Sequence, residues 1–182
     1  ASGYPVMTRE VNGINDATVA DVNGDKKREV IVFLTNGSVI CFNENDQKLW
    51  SVNLDSQVVT SFVIDINQNS RDDVLCTTKN KVYIIENGTL DRTYNICNIT
   101  KLAAFDFDLD NVYEIFLSNS SILMIVDYLS NKTEVTMTEA NIVAAVSGDI
   151  SGDNKPEIIL ARDKFIEIYN NTEKILSKSN KT

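Results

Sequence analysis

The chain has 182 residues, of which 43% are hydrophobic and 24% are charged, as is ordinary for a globular domain. A formal net charge of −9 argues against nucleic acid and anionic membranes as partners. Histidine is absent, which excludes catalytic triads, histidine bases and histidine-ligated zinc. No apolar run approaches the ~20 residues of a membrane helix, and no signal peptide or initiator Met is visible, so we expect a mature or excised product.

The predicted elements are short strands, because Val, Ile, Phe, Tyr and Thr dominate and no useful stretch has a 3.6-residue apolar period. Segment 1–11 is predicted as an extra outer strand, and four groups of four strands follow it. The predicted strands are 16–22, 29–34, 38–42 and 48–54; 58–66, 73–77, 81–86 and 90–96; 101–107, 114–118, 122–127 and 133–138; and 142–150, 157–161, 165–169 and 174–177. The fold class is therefore all-β.

An acidic loop separates the first and second strands of every group. The loops start at Asp21, Asp65, Asp106 and Asp149, at steps of 44, 41 and 43 residues. Four strands repeated every ~40–45 residues are typical of a β-propeller with one four-stranded antiparallel blade per repeat. We predict a single unit over 1–182, with blades at about 12–54, 55–97, 98–139 and 140–179. A β-sandwich is the alternative, but it does not explain the recurring motif.

The sequence leaves two ways to close the ring. Segment 1–11 pairs with the fourth blade in a four-bladed ring, or further sequence or another subunit completes a propeller of six to eight blades. Four-bladed rings are the small end of the known range, so we favour the second. The second strand of each blade is continuously apolar, as expected for a strand that neighbouring blades cover on both faces.

Each acidic loop has the spacing of a calcium site. Positions 1, 3 and 5 carry side-chain oxygens, position 9 is always acidic, and position 7 varies chemically, so that its backbone carbonyl is the expected ligand. Calcium takes six to eight hard oxygens in irregular geometry. The predicted ligands are Asp21, Asn23, Asp25, Lys27 and Glu29; Asp65, Asn67, Asn69, Arg71 and Asp73; Asp106, Asp108, Asp110, Val112 and Glu114; and Asp149, Ser151, Asp153, Lys155 and Glu157.

The four loops differ in charge and should therefore differ in calcium affinity. The third loop has four carboxylates, the first and fourth have three each, and the second has two, so the third should bind most tightly and the second most weakly. Four calcium ions would bring the net charge from −9 to −1. The alternative is that the loops are Asx-turns without metal. An EF-hand is excluded, because its Gly at position 6 and Glu at position 12 are Lys26 and Val32 in the first loop.

The motif Asp-x-[Asp/Asn/Ser]-x-[Asp/Asn]-x-x-x-[Asp/Glu], found four times before an apolar strand, resembles the calcium-binding repeats of FG-GAP or VCBS-like propellers, including integrin α-subunit heads. The resemblance covers nearly the whole chain. It implies that calcium stiffens the loop between the first two strands of a blade, while partners bind elsewhere on the ring. Residues 37–50 separately resemble a quinoprotein-type propeller blade, which we interpret as a blade-packing signature and not as a cofactor site.

The resemblance implies a non-enzymatic protein-interaction or adhesion module. Seven Asn-x-Ser/Thr sequons favour a glycoprotein that is extracellular, at the cell surface or in the secretory pathway. These sequons begin at Asn36, Asn87, Asn98, Asn119, Asn131, Asn170 and Asn180.

Two alternative functions remain open at this point. A carbohydrate-binding propeller would need exposed aromatic residues such as Trp50, Tyr94, Tyr128 or Tyr169 to line repeated pockets, and these are not in register across the repeats. A polysaccharide lyase or hydrolase would need an acid and a base outside the loops, where no recurring cluster is visible. We therefore predict no enzyme activity.

The three cysteines, Cys41, Cys76 and Cys97, cannot form a complete disulfide set and lack metal-ligand spacing. All three are assigned to strands, where a buried free thiol is the expected state. A disulfide between Cys76 and Cys97, within one repeat, is the alternative.

Overall fold

The structure is a computed structural model that describes residues 8–107, 109–130, 133–138, 142–153, 155–170 and 173–179. These residues form sixteen β-strands in four antiparallel sheets of four strands each. Within each sheet, the strands are neighbours in chain order. The described part of the chain contains no helix that could cross a membrane.

The sheets are called blades 1 to 4 in chain order. Blade 1 contains β1 (Ile14–Ala20), β2 (Glu29–Leu34), β3 (Ser38–Phe42) and β4 (Lys48–Asn53). Blade 2 contains β5 (Thr60–Ile64), β6 (Asp73–Thr77), β7 (Val82–Glu86) and β8 (Thr89–Tyr94). Blade 3 contains β9 (Lys101–Phe105), β10 (Glu114–Ser118), β11 (Ile122–Asp127) and β12 (Thr133–Thr138). Blade 4 contains β13 (Ile142–Gly148), β14 (Glu157–Arg162), β15 (Phe165–Asn170) and β16 (Glu173–Ser179).

The second and third strands of every blade begin and end within one residue of their predicted bounds. The first strand of every blade was predicted to end two residues too late: these strands end at residues 20, 64, 105 and 148, and not at 22, 66, 107 and 150. The starts at 16 and 58 were also wrong, because these two strands begin at residues 14 and 60. Apolar residues at loop position 2 continued the strand pattern in the sequence. In the structure their backbone N–H groups bond to a carboxylate and not to a neighbouring strand.

The hydrophobic core lies between consecutive blades. One cluster joins blades 1 and 2, a second joins blades 2 and 3, and a third joins blades 3 and 4. Strands β6 and β10 are buried along their whole length, because a blade covers each of their faces. Complete burial of one Ile or Leu side chain stabilises a fold by about 1.5–3 kcal/mol, so these clusters hold the blades together.

Polar contacts add to the packing between blades 2 and 3. The Arg92 guanidinium lies 4.3 Å from the ring centre of Tyr128, and the Tyr128 hydroxyl donates to Asp91 at 3.0 Å. Burial raises the pKa of Tyr128 to about 12, so its hydroxyl stays protonated and remains a donor. Strand β8, the outer strand of blade 2, therefore contacts the β11–β12 turn of blade 3.

The predicted outer strand over segment 1–11 is not present in residues 8–11, and residues 1–7 lie outside the described part. None of the described strands pairs with residues 8–11. Arg9 nevertheless bonds to Asp46 at 2.5 Å and lies 4.2 Å from the ring centre of Phe42, while Val11 packs against the outer face of blade 1. The segment therefore covers part of that face through side chains.

The cysteines are free thiols in two different environments. Cys41 and Cys76 are buried, as predicted, and burial raises the pKa of each thiol to about 12. Cys97 is exposed and lies beyond the end of β8, so its predicted place in a strand and its predicted burial are wrong. The structure does not pair Cys76 with Cys97.

Candidate metal centre

The four acidic loops occupy the same place in the four blades. In each blade the last residue of the first strand pairs with the acidic residue that starts the second strand. The pairs are Ala20 with Glu29, Ile64 with Asp73, Phe105 with Glu114, and Gly148 with Glu157. Position 1 therefore follows one strand directly and position 9 begins the next, so the loop must fold back over the terminal carboxylate.

The terminal carboxylates are buried and share one hydrogen bond. Glu29, Asp73, Glu114 and Glu157 are at most 1% exposed. One oxygen of each accepts the backbone N–H of loop position 2, for example from Val22 to Glu29 at 3.1 Å. This bond fixes the carboxylate at the base of the loop.

The second oxygen lacks a protein donor in two of these carboxylates. Asp73 Oδ1 and Glu157 Oε1 are buried and make no hydrogen bond within the described part of the chain. A buried polar atom without a partner costs about 1–3 kcal/mol, and more when it is charged. A cation at the loop centre would supply the missing partner.

The loops share an unusual backbone conformation. Position 4 has a positive φ in every loop, and position 6 has one in the first three loops. Glycine holds position 4 in the first and fourth loops, whereas Gln68 (57°) and Leu109 (64°) hold it in the second and third. A left-handed conformation costs a residue other than glycine about 1–2 kcal/mol. With this alternation, backbone N–H groups of the loop reach the side chains at positions 1 and 5.

Side chains at positions 1 and 5 organise this backbone. Asp21 accepts from the N–H groups of Gly24 and Lys26, both at 2.8 Å. In the other loops, Asp65 accepts from the N–H groups of Asn69 and Ser70, Asp106 accepts from Asn111, and Asp149 accepts from Gly152. Position 5 accepts the N–H of position 7 in all four loops, at 2.8–3.0 Å. The Asx-turns of the metal-free alternative are therefore present, and a carboxylate oxygen with two lone pairs can accept such a bond and also bind a cation.

The fourth loop brings three carboxylates together. One oxygen from each of Asp149, Asp153 and Glu157 lies within 4.8 Å of the others. Oxygens bound to one calcium ion at about 2.4 Å can be at most about 4.8 Å apart, so this spacing fits a shared cation. Ser151, the predicted ligand at position 3, donates its backbone N–H to Glu157 at 3.2 Å.

The first loop is arranged around an amide. The side-chain nitrogen of Asn23 lies 3.3 Å from both Asp25 Oδ2 and Glu29 Oε1. Burial, followed by the charges of Asp25 and Asp21, raises the pKa of Glu29. The amide N–H group thus occupies the place where a cation would bridge the two carboxylates.

The second loop has fewer charged groups at its centre. Asp65 uses both oxygens for backbone N–H groups, and Asn69 donates its side-chain N–H to Glu86 at 2.8 Å. Asn67 Oδ1 accepts from the Asn69 backbone at 3.2 Å. Burial raises the pKa of Asp73 from 3.8 to about 7.

In the third loop, Asp106 and Asp110 hold the backbone N–H groups of Asn111 and Val112 at 3.1 and 2.8 Å. Asp106 Oδ1 is buried and makes no hydrogen bond to any residue that the structure describes. Asp108 lies outside the described residues, so the predicted four-carboxylate cluster of this loop remains a prediction.

Neighbouring loops contact each other, which the sequence analysis did not predict. The N–H of Asp21 donates to Asp72 Oδ2 at 2.9 Å, and the N–H of Asp72 donates back to the Asp21 carbonyl at 2.8 Å. Gln68 donates its side-chain N–H to the Asn111 carbonyl at 2.8 Å. In the sequence, the sole signal was an acid at position 8, which the second loop alone has.

At position 7, the remaining predicted position, the side chain of Lys27 bonds to a residue outside the loop. Lys27 Nζ bonds to Glu44 Oε1 at 2.6 Å, which raises the pKa of Lys27. Its counterparts Arg71, Val112 and Lys155 share only the N–H bond to position 5. The role of their carbonyl groups as ligands remains a prediction.

The aromatic residues proposed for carbohydrate stacking lie in blade packing. Trp50 and Tyr94 pack against the inter-blade clusters, and Tyr128 and Tyr169 are buried. The carbohydrate-binding alternative required these side chains to be exposed, whereas Tyr128 and Tyr169 are buried and Trp50 and Tyr94 are half-buried. A cleft of about 490 Å³ lies next to Ser56, Lys79 and Asn98, at the edge of the blades opposite the acidic loops.

No protein-family model matches the chain, and no curated protein matches it either. Among solved structures, the chain is similar to BBS1N in complex with ARL6DN, with 13% identity, a TM-score of 0.71, and 93% of this chain and 58% of that chain covered. It is also similar to the WD40 β-propeller domain of Doa1, with 15% identity, a TM-score of 0.57, and 83% and 50% covered. The chain has a β-propeller fold. This confirms the predicted fold class.

A third similar structure is the V. cholerae biofilm matrix protein Bap1, with 15% identity, a TM-score of 0.62, and 92% of this chain and 31% of that chain covered. At these identities the likeness extends to the fold alone. The chain spans about half the length of the BBS1N and Doa1 structures that it matches. The resemblance to FG-GAP repeats stays a prediction, because these similar propellers are of the BBS1 and WD40 types.

Proposed function

We propose that this propeller is a calcium-stabilised protein-interaction module of the cell exterior or secretory pathway, and that it is not an enzyme. The observation that carries the proposal is the fourth loop. Asp149, Asp153 and Glu157 bring three carboxylate oxygens within 4.8 Å, and one buried Glu157 oxygen has no hydrogen-bond donor among the described residues. Three carboxylates this close repel one another unless a cation or protons neutralise them.

In this account calcium would have a structural role. The predicted ligands run from the residue after the first strand to the first residue of the second strand, so one ion would fix the ends of both strands. Hydrogen bonds between Asp21 and Asp72 connect the loops of blades 1 and 2, and a hydrogen bond between Gln68 and Asn111 connects those of blades 2 and 3. An ion that orders one loop would therefore also restrain the loop of the neighbouring blade. Binding to the folded state alone stabilises it by about 2.7 kcal/mol per site at a hundredfold excess over the Kd.

Partner binding is assigned to the ring and not to the metal loops. Propellers serve as interaction platforms, and BBS1N was crystallised in complex with a protein, ARL6DN. The cleft beside Ser56, Lys79 and Asn98 lies away from the loops and is a suitable site for a protein partner. Location outside the cytosol rests on the sequons, of which Asn36, Asn87 and Asn98 are exposed.

Thermal unfolding with and without calcium tests the proposal. Each site at a hundredfold excess of calcium over its Kd should raise the unfolding midpoint by about 5–10 °C, because 1 kcal/mol corresponds to about 2–4 °C for a chain of this size. Asp153→Asn should reduce this gain, and Asp163→Asn, in an exposed turn of the same blade, should not. Identical midpoints in calcium and in chelator would contradict the proposal.

A glycan array in calcium separates this proposal from the carbohydrate-binding alternative. We expect no specific binding, because the candidate aromatic residues are packed between blades. Reproducible binding to one glycan class would overturn the assignment to protein partners.

A further inference from the structure

The cleft of about 490 Å³ lies where blades 2 and 3 meet, at the edge of the sheets opposite the acidic loops. Three segments form it: residues 56–59, which lead into β5, residues 79–80 in the β6–β7 turn, and residues 98–100, which lead into β9. Blades 2 and 3 each pack against a neighbouring blade on both sides, so the cleft belongs to the interior of the blade array. Its volume is within the range of about 300–1,000 Å³ that is usual for binding sites in proteins.

Hydrogen bonds hold the walls of the cleft in place. The N–H of Val59 donates to the Thr77 carbonyl at 2.7 Å. The N–H of Asn98 donates to the Lys79 carbonyl at 2.8 Å, which joins the turn in blade 2 to the segment that leads into blade 3. The Thr77 hydroxyl donates to the Ile99 carbonyl at 3.2 Å. The cleft is therefore already formed before a partner binds, which reduces the cost of ordering it.

The lining of the cleft includes aliphatic surface. Ile99 is fully buried, whereas Val59 is 50% exposed, so part of its side chain is in contact with water. An apolar side chain of a partner would remove this surface from water, which is the main favourable contribution to most protein association. The side chains of Asn98 and Thr100 are exposed beside it and offer hydrogen-bonding groups.

The cleft is positively charged, in a chain whose net charge is −9. Lys79 alone carries a charge among the described residues that line it, and Lys79 forms no salt bridge with any residue that the structure describes. The adjacent Asp55 accepts from the Asn80 amide at 3.1 Å and from the Ser56 hydroxyl at 3.5 Å. Asp55 also interacts electrostatically with Lys81. Lys79 is therefore available to attract a carboxylate of a partner.

A second cleft, of about 450 Å³, continues the first one along the same edge. The two clefts share Asn98 and Thr100, and the β10–β11 turn lines the second one with the exposed residues Ser120 and Ser121. Together they form a groove that crosses from blade 2 to the far side of blade 3. Such a groove suits an extended polypeptide, which advances about 3.3 Å per residue and presents side chains alternately.

We propose that this groove binds an extended segment of a partner protein in which an aliphatic or aromatic residue stands close to an aspartate or glutamate. The apolar side chain packs on Val59, the carboxylate pairs with Lys79 Nζ, and the adjoining backbone lies along the second cleft. The inference rests on the proposed protein-interaction function and specifies the chemistry of the partner. It does not require calcium.

Selection of random twelve-residue peptides displayed on phage, with the folded 182-residue chain as target, tests the proposal. We expect enrichment of peptides that place an acidic residue close to an apolar one. An enriched peptide, synthesised with a fluorophore, then serves as the probe in anisotropy titrations.

Three variants of the protein locate the binding site of the probe. Lys79→Glu should weaken binding by about tenfold or more, because it turns an attraction into a repulsion. Val59→Ser should weaken it by about threefold or more, because less apolar surface is buried. Lys48→Glu is the charge-matched control: Lys48 is exposed on β4, outside the groove, and this variant should bind like wild type.

Exchanging the two charges gives the sharper result. A probe whose acidic residue is replaced by lysine should bind wild type weakly and should regain affinity for Lys79→Glu. Recovery of binding also shows that this variant is folded. Failure to enrich any peptide, equal binding of the probe to wild type, Lys79→Glu and Val59→Ser, or a charge-exchanged probe that does not regain binding would each overturn the inference.

Two other occupants of the groove would give different results. Glycan binding that Lys79→Glu abolishes would assign the groove to carbohydrate, and self-association that Lys79→Glu abolishes would assign it to a second copy of the chain. Either result would overturn the inference. Peptide binding at another face would also overturn it but would leave the proposed interaction function intact, whereas the calcium melts and the glycan array test that function separately.

Discussion

Asp73 links the electrostatics of the second loop to a measurable change in stability. Its carboxyl group is 1% exposed, one oxygen accepts the Ile66 N–H at 3.2 Å, and the other has no hydrogen bond in the described part. Burial, with the charges of Glu86 and Asp65, raises its pKa from 3.8 to about 7. The folded protein therefore holds this proton more tightly than the unfolded chain does.

The sign of the pH dependence follows from linkage. An acid with a raised pKa stabilises the folded state below the unfolded pKa, and this stabilisation is lost as pH rises through the folded pKa. The window here runs from about 4 to about 7. At about 1.4 kcal/mol per pKa unit, the full shift corresponds to about 4 kcal/mol, which is an upper limit because the loop can relax.

Asp73→Asn should remove the loss of folding stability between pH 4 and pH 7, because an amide oxygen can still accept the Ile66 N–H without carrying a charge. In chelator at pH 8 we expect the variant to unfold several degrees above wild type, and at pH 4 we expect similar midpoints. Circular dichroism melts across this range provide the measurement, with Asp163→Asn, in an exposed turn, as the control. Excess calcium should shrink the difference, since the cation also neutralises the carboxylate. An unchanged pH slope in Asp73→Asn would refute the reasoning.

Two further predictions concern packing. Gly88 and Gly152 have nearly equal positive φ values, 79° and 78°, but a Cβ at Gly88 would lie 2.5 Å from Trp50, whereas a Cβ at Gly152 meets nothing within 4 Å. Gly88→Ala should therefore cost about 1–3 kcal/mol more than Gly152→Ala in denaturant unfolding, and equal losses would contradict the contact. A thiol reagent should label Cys97 alone in the native protein, because the other two thiols are buried with pKa values of about 12. Rapid labelling of all three would show that the inter-blade core opens.

Much of the fold could be predicted from the sequence, for a local reason. Each second strand lies between an acidic residue and a turn, so segments such as 29–34 have their bounds marked on both sides. The loop also fixes the register, because its terminal acid always pairs with the last residue of the first strand. Four copies of one signal then define four sheets.

Burial between blades could not be predicted, because it depends on which faces meet. Tyr128 looked like an exposed aromatic residue in the sequence, but its ring lies under Arg92 of the neighbouring blade. Cys97 continued a strand pattern that ends at Tyr94 in the structure.

The candidate site was predictable in composition but not in conformation. Positions 1, 5 and 9 stand out because their side chains carry the charge. The left-handed residues Gln68 and Leu109 carry no sequence signal, since glycine is the residue that normally marks that conformation. The bonds between Asp21 and Asp72 join residues that are 51 positions apart and follow from tertiary structure alone.

Calcium titration by calorimetry of wild type and Asp153→Asn tests the central claim most directly. The account predicts at least two and up to four sites per chain, with one site lost in the variant, because Asp153 shares its cation with Asp149 and Glu157. Fewer than two sites in the wild type, or an unchanged number of sites in the variant, would contradict it.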